Sequence, residues 1–213
     1  GIYDIEKKEL LEYSPTYCFT SKVPVKYDKT MKCEKFLDFL NDALYDIDIP
    51  VIQEWFGYSL YRKYIIKKGV IYTGETDTGK TILLNIQSKL IGEKNQCGIS
   101  LHRIAGNDKF GLSSLYKKLM NSYDDLSADD IADGGGFKIA TGGGYITAEY
   151  KFGDSFQFKN YAKLLFACNK IPSMKENDDD AYYNRWMLIP FDNHVPASKQ
   201  IRDYDEIIAT PNE

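Results

Sequence analysis

The sequence contains few of the residues that build metal clusters and disulfide scaffolds. Its 213 residues include four cysteines and two histidines. The cysteines lie far apart, without a CxxC pair, at Cys18, Cys33, Cys97 and Cys168. This spacing argues against both a zinc site and a disulfide framework. We therefore expect four free thiols in a reducing cytosol.

Long apolar runs are also missing. The densest one, Leu164 to Cys168, is far shorter than the roughly 18 residues that a membrane-spanning helix needs. The N-terminus lacks the charged-then-apolar layout of a signal peptide. We therefore expect no membrane association. The first residue is Gly1 in place of methionine, which predicts an excised or processed chain.

Positive charge is not in surplus. Lysine and arginine total 27 against 31 aspartates and glutamates, for a net charge of -4. This balance excludes a uniformly basic nucleic-acid coat, although a local basic channel remains compatible with it. With 43% hydrophobic and 27% charged residues, the composition is that of an ordinary globular protein. The length suits one domain, or one domain with a small appendage.

The first third of the chain carries helical periodicity. Apolar residues recur at helical spacing from Phe36 to Leu44, and a second helix is expected after Pro50, from Val51 to Leu60. Neither segment carries a group that we assign to chemistry, and the tail after Asn193 is polar and weakly patterned. We predict an N-terminal helical segment over residues 1–66. A core domain would then occupy residues 67–213 and stop before any C-terminal domain.

The decisive motif is the octapeptide GETDTGKT. It follows a predicted buried strand, Val70 to Thr73, and precedes the helical stretch KTILLNIQSKLI, which ends at Gly92. The octapeptide fits G-x-x-x-x-G-K-[ST], the phosphate-binding loop that joins a strand to a helix. In such a loop the backbone amides surround a polyphosphate, the lysine reaches the β- and γ-phosphates, and the hydroxyl residue ligates Mg²⁺. The motif assigns the binding of a nucleoside triphosphate to Gly74, Glu75, Thr76, Asp77, Thr78, Gly79, Lys80 and Thr81, with Thr81 as a ligand of Mg²⁺.

A site of this kind needs an acid that holds Mg²⁺ and polarises the attacking water. Asp124 and Asp125 close the apolar-leaning stretch LMNSY, where such a carboxylate is expected, and a helix is predicted just before it at Leu112 to Leu119. From the residues alone, both Asp124 and Asp125 are candidates for the metal-associated acid, and the choice between them stays open. The alternative is an acidic doublet that only begins a helix.

Two further polar residues adjoin buried strands. Asn169 ends the strand AKLLFACN, where open α/β sheets bind ligands, and it could orient the lytic water. The alternative is a turn before Pro172. Arg185 precedes the strand WMLIPF and could stabilise charge on the transferred phosphoryl group, in its own or a neighbouring subunit. Its alternative is a surface ion pair with the acidic run 178–180.

The stretch from Tyr145 to Phe158 alternates apolar and polar residues around a Gly-Asp pair and predicts a β-hairpin. Lys151 and Phe152 would lie near its tip. A basic residue beside an aromatic one suits contact with the phosphates and bases of a single strand. The alternative is an ordinary hairpin whose aromatic residue packs on the core.

Several of these segments, taken in order, resemble the superfamily 3 helicase domain of phage, plasmid and poxvirus-type primase-helicases. The resemblance runs through IQEWFGYSL, GETDTGKT, the stretch 119–126, FKIATGGGYITAEYKFGDSFQFKNYAKLLFACNKIP and YYNRWMLIPF, and it spans roughly Phe36 to Phe191. Relatives often carry two arginines before the tryptophan, whereas here Asn184 precedes Arg185.

The resemblance implies an AAA+-like P-loop NTPase core, with a parallel sheet flanked by helices. It implies a ring-forming ATPase, usually a hexamer, that translocates on single-stranded DNA and accompanies a primase domain in the parent chain. Matched position by position, the site residues would be Lys80 and Thr81 of Walker A, Asp125 of Walker B, the sensor Asn169 and the arginine finger Arg185. The DNA-binding residues would be Lys151 and Phe152, with Lys138 in the same motif region.

Two other functional classes remain open. One is a nucleotide-dependent DNA-binding or assembly module without strong hydrolysis. The other is a P-loop small-molecule kinase, which would need an acceptor pocket and a lid with extra arginines. DNA binding that depends on Lys151 would separate the kinase from the other two classes.

Overall fold

The structure is a computed structural model that describes residues 1–19, 21–174, 180–196 and 200–209. Over these ranges the chain is a mixed α/β fold. Its α-helices are α1 (Glu34–Ala43), α2 (Asp48–Ser59), α3 (Lys80–Ile91), α4 (Leu101–Ala105), α5 (Lys109–Ser113), α6 (Gly135–Gly142), α7 (Asp180–Tyr183) and α8 (Tyr204–Ile208). Its strands are β1 (Ile2–Asp4), β2 (Glu9–Leu11), β3 (Gly69–Thr73), β4 (Gln96–Cys97), β5 (Met120–Tyr123), β6 (Tyr145–Glu149), β7 (Ser155–Lys159), β8 (Lys163–Cys168) and β9 (Trp186–Pro190).

Five strands form the central sheet, in the order β4-β5-β8-β3-β9, and every pairing in it is parallel. This confirms the predicted parallel sheet. The strand that leads into the P-loop, β3, has β8 on one side and β9 on the other. Because all strands point the same way, the residues that follow β3, β5 and β8 meet at one edge of the sheet.

Helices cover both faces of the sheet. In β3, Val70 and Tyr72 face one hydrophobic cluster with α1, α2 and α3, while Ile71 faces a second cluster with α4, α6 and the β6–β7 hairpin. Strand β8 is buried along its whole length. Burial on both faces explains why this strand reads as an uninterrupted apolar run, since parallel strands are normally covered on both sides.

The predicted N-terminal helices occupy only the later part of residues 1–66. Helices α1 and α2 are present, and α2 begins at Asp48, before Pro50, because proline is tolerated in the first turn of a helix. The helical prediction is wrong for the first residues of the chain, where β1 and β2 form an antiparallel hairpin. Helices α1 and α2 pack into the same hydrophobic cluster as the sheet. The division at residue 66 stays a prediction.

The predicted hairpin is present, with β6 and β7 paired antiparallel from Tyr145–Lys159 to Glu149–Ser155. The helix predicted at Leu112 to Leu119 is wrong in position, because α5 ends at Ser113. Its N-terminus is capped by Asp108, whose side chain accepts a hydrogen bond from the Phe110 amide at 3.0 Å. The backbone at Lys117 has a φ of 61°, in the left-handed region, which ends any helical continuation.

A fully buried lysine lies at the start of β8. The Lys163 ammonium donates to the carbonyl oxygens of Tyr61 and Tyr161 and lies 4.4 Å from the ring centroid of Tyr58 and 5.6 Å from that of Tyr64. Burial lowers the pKa of Lys163 to about 7. These contacts attach the segment after α2 to the amino-terminal end of the strand. No helix within the described ranges is both long and apolar enough to cross a membrane.

Candidate active site

The P-loop follows β3 and opens α3, as the motif requires. Two of its glycines have positive φ, 152° at Gly74 and 97° at Gly79. A side chain at Gly74 would also meet the carbonyl oxygen of Phe191 at 2.2 Å, so this position accepts only glycine. Gly79 is the N-cap of α3 and offers no capping side chain. The amides of the first helical turn are therefore free to bind an anion.

Lys80 is held within the loop that it belongs to. Its ammonium donates to the carbonyl oxygens of Gly74 and Glu75 at 2.7 and 2.5 Å. Burial lowers the pKa of Lys80, and the negative charges of Asp124 and Asp77 oppose that shift. A cation held by neutral carbonyl and hydroxyl oxygens can exchange them for phosphate oxygens, which bind it more strongly.

The structure brings Asp124 to the P-loop. The Thr81 hydroxyl donates to a carboxylate oxygen of Asp124 at 2.9 Å. The other carboxylate oxygen of Asp124 accepts from the backbone amide of Asp125, also at 2.9 Å. Asp125 has a left-handed φ of 53° and lines the same cavity. Both predicted acids therefore lie at the site, but the direct contact with Thr81 belongs to Asp124.

The Thr81–Asp124 pair fits a magnesium ion. Mg²⁺ prefers oxygen ligands and is usually held by one or two protein groups together with substrate phosphates and water. A hydroxyl and a carboxylate in contact, beside a loop that suits phosphate, supply that donor set. No cluster of three or more His, Cys, Asp or Glu side chains that could hold a metal occurs in the described part of the chain.

Asn169 follows β8 at the same edge of the sheet. Strand β8 pairs directly with β3, with Cys168 opposite Thr73, so Asn169 is one strand away from the start of the P-loop. Its side chain is exposed and lines the cavity. Cys168 beneath it is buried, which raises the pKa of its thiol. An exposed amide at this position can contact a water near the terminal phosphate.

The cavity at this edge has a volume of about 450 Å³. It contains most of the predicted nucleotide-binding residues, and it also has a second wall that the sequence did not reveal. That wall is formed by Phe39, Asp42, Ala43, Val195, Gln200, Ile201 and Tyr204. The apolar periodicity of α1 predicts that Phe39 and Ala43 share a face, but it does not indicate that this face borders a cavity.

Arg185 lies at the amino ends of the parallel strands, away from the carboxyl ends that carry the P-loop. It directly precedes β9, which runs parallel to β3 with Trp186 opposite Gly69. Six residue steps, about 20 Å at about 3.3 Å per residue, separate the level of Arg185 from that of Gly74 at the start of the P-loop of its own chain. Its guanidinium donates to the carbonyl oxygen of Ala181, and its Nε is buried without a partner among the described residues. Of the acidic run 178–180 that we considered as its ion-pair partner, residues 178 and 179 lie outside the described ranges.

The hairpin tip presents its two predicted residues to solvent. Phe152 is 96% exposed and has a left-handed φ of 64°, so the expectation that it packs on the core does not apply. The turn is closed by a hydrogen bond from the Gly153 amide to the Tyr150 carbonyl at 2.8 Å. The Lys151 ammonium lies 5.2 Å from the Phe152 ring centroid.

The rest of the hairpin is fixed to the core through its aromatic residues. Phe156 stacks on Tyr150, and both Phe156 and Phe158 make edge contacts with Tyr116. Lys138 lies in α6, the helix that directly precedes β6. The three predicted DNA-binding residues therefore belong to one helix–hairpin unit, with a rigid base and an exposed tip.

Two family profiles match the chain. The profile described as a family of unknown function (DUF5906) matches residues 72–185, and the one described as D5 N terminal like matches residues 1–44. The first covers every predicted site residue. The second covers α1 and the hairpin that precedes it.

Viral proteins are among the similar sequences. "Putative helicase L207/L206" of Acanthamoeba polyphaga mimivirus is 34% identical over 84 residues, which cover 38% of this chain and 9% of that protein. "Putative helicase 184R" of Invertebrate iridescent virus 6 is 26% identical over 216 residues, or 91% of this chain and 21% of that protein. The chain thus matches only 9% and 21% of the length of these two relatives.

Solved structures share the fold. The apo structure of the NrS-1 C-terminal region (305–718) superposes with a TM-score of 0.64 and 20% identity, over 87% of this chain and 44% of that one. A JCV helicase with a bound thiazolopyridinyl-phenoxyphenyl acetamide superposes with a TM-score of 0.50 and 13% identity, over 84% of this chain and 59% of that one.

Together, these comparisons confirm the resemblance to viral and phage proteins of the primase-helicase type. The DUF5906 match covers more than half of the chain and contains the P-loop, the acidic pair, Asn169 and Arg185. The chain belongs to the family of unknown function DUF5906.

Proposed function

We propose that this chain is the ATP-hydrolysing motor segment of a superfamily 3 replicative DNA helicase. One observation carries the proposal: the P-loop, Asp124 and Asn169 meet in one cavity at the carboxyl edge of a parallel sheet. The helicase names of the viral relatives support the assignment. We further propose that the working form is a ring of identical subunits, a hexamer in the parent protein, which carries a primase domain as well.

Each residue of the cavity has a definite task in hydrolysis. The α3 amides and Lys80 bind the β- and γ-phosphates and stabilise the negative charge that develops on them. Thr81 and Asp124 would hold Mg²⁺, which when bound draws electron density from the phosphate oxygens. Asn169 orients the water that attacks the γ-phosphorus, and Asp125, which lines the same cavity, takes part in polarising that water.

Arg185 is proposed to serve a neighbouring subunit. It lies at the far edge of the sheet from its own P-loop, so it cannot reach the phosphates bound by its own chain. In a ring, that edge can face the cavity of the next subunit, where a guanidinium would stabilise the transferred phosphoryl group. Hydrolysis would then require two chains.

The hairpin tip is proposed to bind single-stranded DNA. The Lys151 ammonium suits a phosphate, and the exposed Phe152 ring offers a stacking surface for a base. A left-handed backbone at a fully exposed phenylalanine is strained, and such strain is commonly kept where a side chain meets a ligand. Lys138 adds positive charge on the helix before the hairpin.

The test is ATP turnover measured against protein concentration, with and without single-stranded DNA, with Lys80→Ala as the blank. We expect turnover to rise faster than linearly with protein and to increase further with DNA, because sites shared between subunits form only on assembly. Turnover that is linear in protein and indifferent to DNA would mean that each chain hydrolyses alone, and the helicase proposal would be lost.

Mixed assemblies test the role of Arg185. We expect Arg185→Ala subunits to bind ATP normally but to lower turnover when mixed with the unaltered chain, since each one leaves its neighbour without a guanidinium. Unaltered activity in these mixtures would contradict the proposal that the arginine acts between subunits.

DNA binding has its own test. We expect Lys151→Ala to weaken single-strand binding and to reduce the salt slope by about 1, because one phosphate contact is lost. Basal turnover without DNA should not change. Lys170→Ala, which changes an exposed lysine outside the hairpin, is the matched control.

A further inference from the structure

The backbone around Arg185 is held by two neighbouring residues at the amino end of β3. The Gly69 amide donates to the Arg185 carbonyl oxygen at 2.8 Å. The Lys68 ammonium donates to the carbonyl oxygens of the residues on either side, at 2.6 Å to Asn184 and 3.3 Å to Trp186. Three successive carbonyl groups are therefore bound by two successive residues.

The two bonds from Lys68 differ in kind from the bond that Gly69 makes. A backbone amide in this position bonds to the neighbouring chain whatever its side chain, because β3 and β9 are paired in parallel. The bonds from the ammonium depend on the lysine itself. Strand β9 has β3 on one side and, within the described ranges, no strand on the other. Lys68 thus supplies hydrogen bonds that no neighbouring strand provides, and its charge strengthens both of them.

Lys68 is itself anchored to the sheet. The Tyr64 hydroxyl donates to the Lys68 carbonyl oxygen at 2.8 Å, and the Lys68 amide donates to the Ile66 carbonyl oxygen, also at 2.8 Å. The Tyr64 ring in turn lies 5.6 Å from the buried Lys163 ammonium, at the amino end of β8. The Lys68 ammonium therefore extends from a backbone that is fixed by its own set of contacts.

The Arg185 side chain has few bonds of its own. Among the described residues its guanidinium makes one hydrogen bond, to the Ala181 carbonyl oxygen, and its Nε is buried without a partner. A guanidinium carries five N–H donors, so this single bond restrains its direction only weakly. The Arg185 amide donates to the Tyr182 carbonyl oxygen at 3.0 Å, at the end of α7. The direction of the side chain is thus set mainly by its backbone, which Lys68 and Gly69 hold from the other side.

We infer that Lys68 is a positioning residue: it holds the Arg185 backbone so that the guanidinium reaches the phosphates bound by a neighbouring subunit. The inference rests on the proposed role of Arg185 in that neighbour. Stabilisation of a transferred phosphoryl group depends on accurate placement, and a misplacement of about 1 Å can lower a rate by about 100-fold. Lys68 does not act on the nucleotide of its own chain, because Gly74 lies six residues further along β3, a distance of about 20 Å.

The first experiment separates the rate of hydrolysis from substrate binding. Lys68→Met keeps the apolar stem and removes the charge and its three donors. At protein concentrations that saturate assembly, we expect it to lower maximal ATP turnover by about 10- to 100-fold and to change KM for ATP by less than about twofold. Lys68→Arg, which can still donate to both carbonyl oxygens, should restore most of the turnover. Lys67→Met, which changes the neighbouring exposed lysine, is the matched control and should follow the unaltered chain.

The second experiment uses mixed assemblies, because positioning of Arg185 should act on the neighbour. Lys68→Met subunits keep an intact P-loop, and Lys80→Ala subunits keep a correctly positioned Arg185. Mixing the two places some Lys68→Met cavities beside a competent guanidinium. We expect turnover per Lys68→Met chain to rise severalfold above that of this variant alone. A defect of folding, or of the variant's own cavity, would not be corrected by a neighbour.

A double variant tests whether Lys68 acts only through Arg185. If it does, Lys68→Met combined with Arg185→Ala should turn over ATP at the rate of Arg185→Ala alone, because the two residues then serve one interaction. Multiplication of the two separate losses would mean that Lys68 has an independent role, and it would overturn the inference.

The outcomes separate this inference from the proposed function. Turnover of Lys68→Met equal to that of Lys67→Met would overturn the positioning role. A raised KM, or a failure of Lys80→Ala subunits to restore turnover, would also overturn it, since Lys68 would then act within its own chain. Unaltered turnover in Arg185→Ala would overturn the proposed role of Arg185 and, with it, this inference. Absence of turnover from the unaltered chain would overturn the proposed function itself.

Discussion

Two buried lysines lie at opposite edges of the same sheet, and both donate to backbone carbonyl oxygens. Lys80, at the carboxyl edge, is held by the P-loop, faces the charges of Asp124 and Asp77, and borders an open cavity. Lys163, at the amino edge, is enclosed by two carbonyl oxygens and two tyrosine rings. Both lysines are therefore held by backbone carbonyl oxygens, but Lys80 is accessible to a ligand and Lys163 is enclosed by the protein.

The two edges of this parallel sheet therefore have different functions, ligand binding at the carboxyl edge and structural stability at the amino edge. The carboxyl edge collects loops whose polar groups stay open, so changes there should affect chemistry and spare stability. The amino edge joins the segment after α2 to the sheet, so changes there should affect stability and spare phosphate binding. Three experiments test this division.

The largest effect is expected from Lys80→Met. This change keeps the apolar stem but removes the charge that meets the γ-phosphate, so turnover should fall by about 100-fold or more. The free energy of unfolding should change by less than about 1 kcal/mol, because the P-loop carbonyl oxygens that lose the ammonium border an open cavity and can bind water instead. Phosphate release and thermal unfolding measure the two quantities. Retained turnover, or a large loss of stability, would contradict the expectation that changes at the carboxyl edge affect chemistry and spare stability.

A smaller and more discriminating effect separates the two neighbouring acids. Asp124→Asn should lower turnover by about 100-fold, because it removes the carboxylate that contacts Thr81. Asp125→Asn should lower turnover less, since that contact remains. Titration of activity with Mg²⁺ should show that only the Asp124 variant needs more metal. If Asp125→Asn lowered turnover more than Asp124→Asn, Asp125 would be the principal metal-associated acid.

The smallest expected effect is a change in the pH dependence of stability at Lys163. The pKa of this lysine is lowered by burial to about 7, from an ordinary value near 10.5. Between these values the unfolded chain binds more protons than the folded one, so stability should rise with pH through this window and be flat below it. Over pH 7.5 to 9.5 we expect a gain of about 2.5 kcal/mol, slightly less than about 1.4 kcal/mol per pH unit because one of the two states is partly titrated at each end of this window.

Lys163→Met isolates that contribution, because it fills similar volume without a titrating group. The difference in the free energy of unfolding between Lys163→Met and the unaltered chain should therefore change steadily as the pH rises. Denaturant unfolding at several pH values measures this difference. Lys170→Met, which changes an exposed lysine just beyond the same strand, should follow the unaltered chain. Parallel curves for Lys163→Met would mean that the carbonyl oxygens and tyrosine rings keep the ammonium charged.

The phosphate end of the site could be predicted from the sequence because its parts are local. The P-loop is one continuous motif, and Asp124, Asp125 and Asn169 each end an apolar strand that a short window reveals. The parallel order of the strands then brings these ends together without further information. The same reasoning located the hairpin and its tip.

The remaining features depend on contacts between distant residues. The choice of Asp124 over Asp125 rests on a hydrogen bond to Thr81 across the sheet edge, and the second wall rests on α1 meeting the segment after β9. Neither leaves a periodic trace in the sequence. The helix before β5 was misplaced for a local reason instead, since the left-handed residue Lys117 is not one that pattern rules associate with a helix end.

The connection between the hairpin and β8 has a mechanical consequence. Strand β7 leads into β8 through residues 160–162, and Asn160 clamps that joint by bonding the carbonyl oxygens of Ala140 and Ala162 and the amide of Ala162. One continuous run of extended chain therefore links the turn at Phe152 to Asn169 at the cavity. Because the hydrogen bonds of Asn160 fix the connection between β7 and β8, the two strands should move together rather than bend at residues 160–162. A displacement of the exposed hairpin tip at Phe152 should therefore change the position of the Asn169 side chain at the cavity.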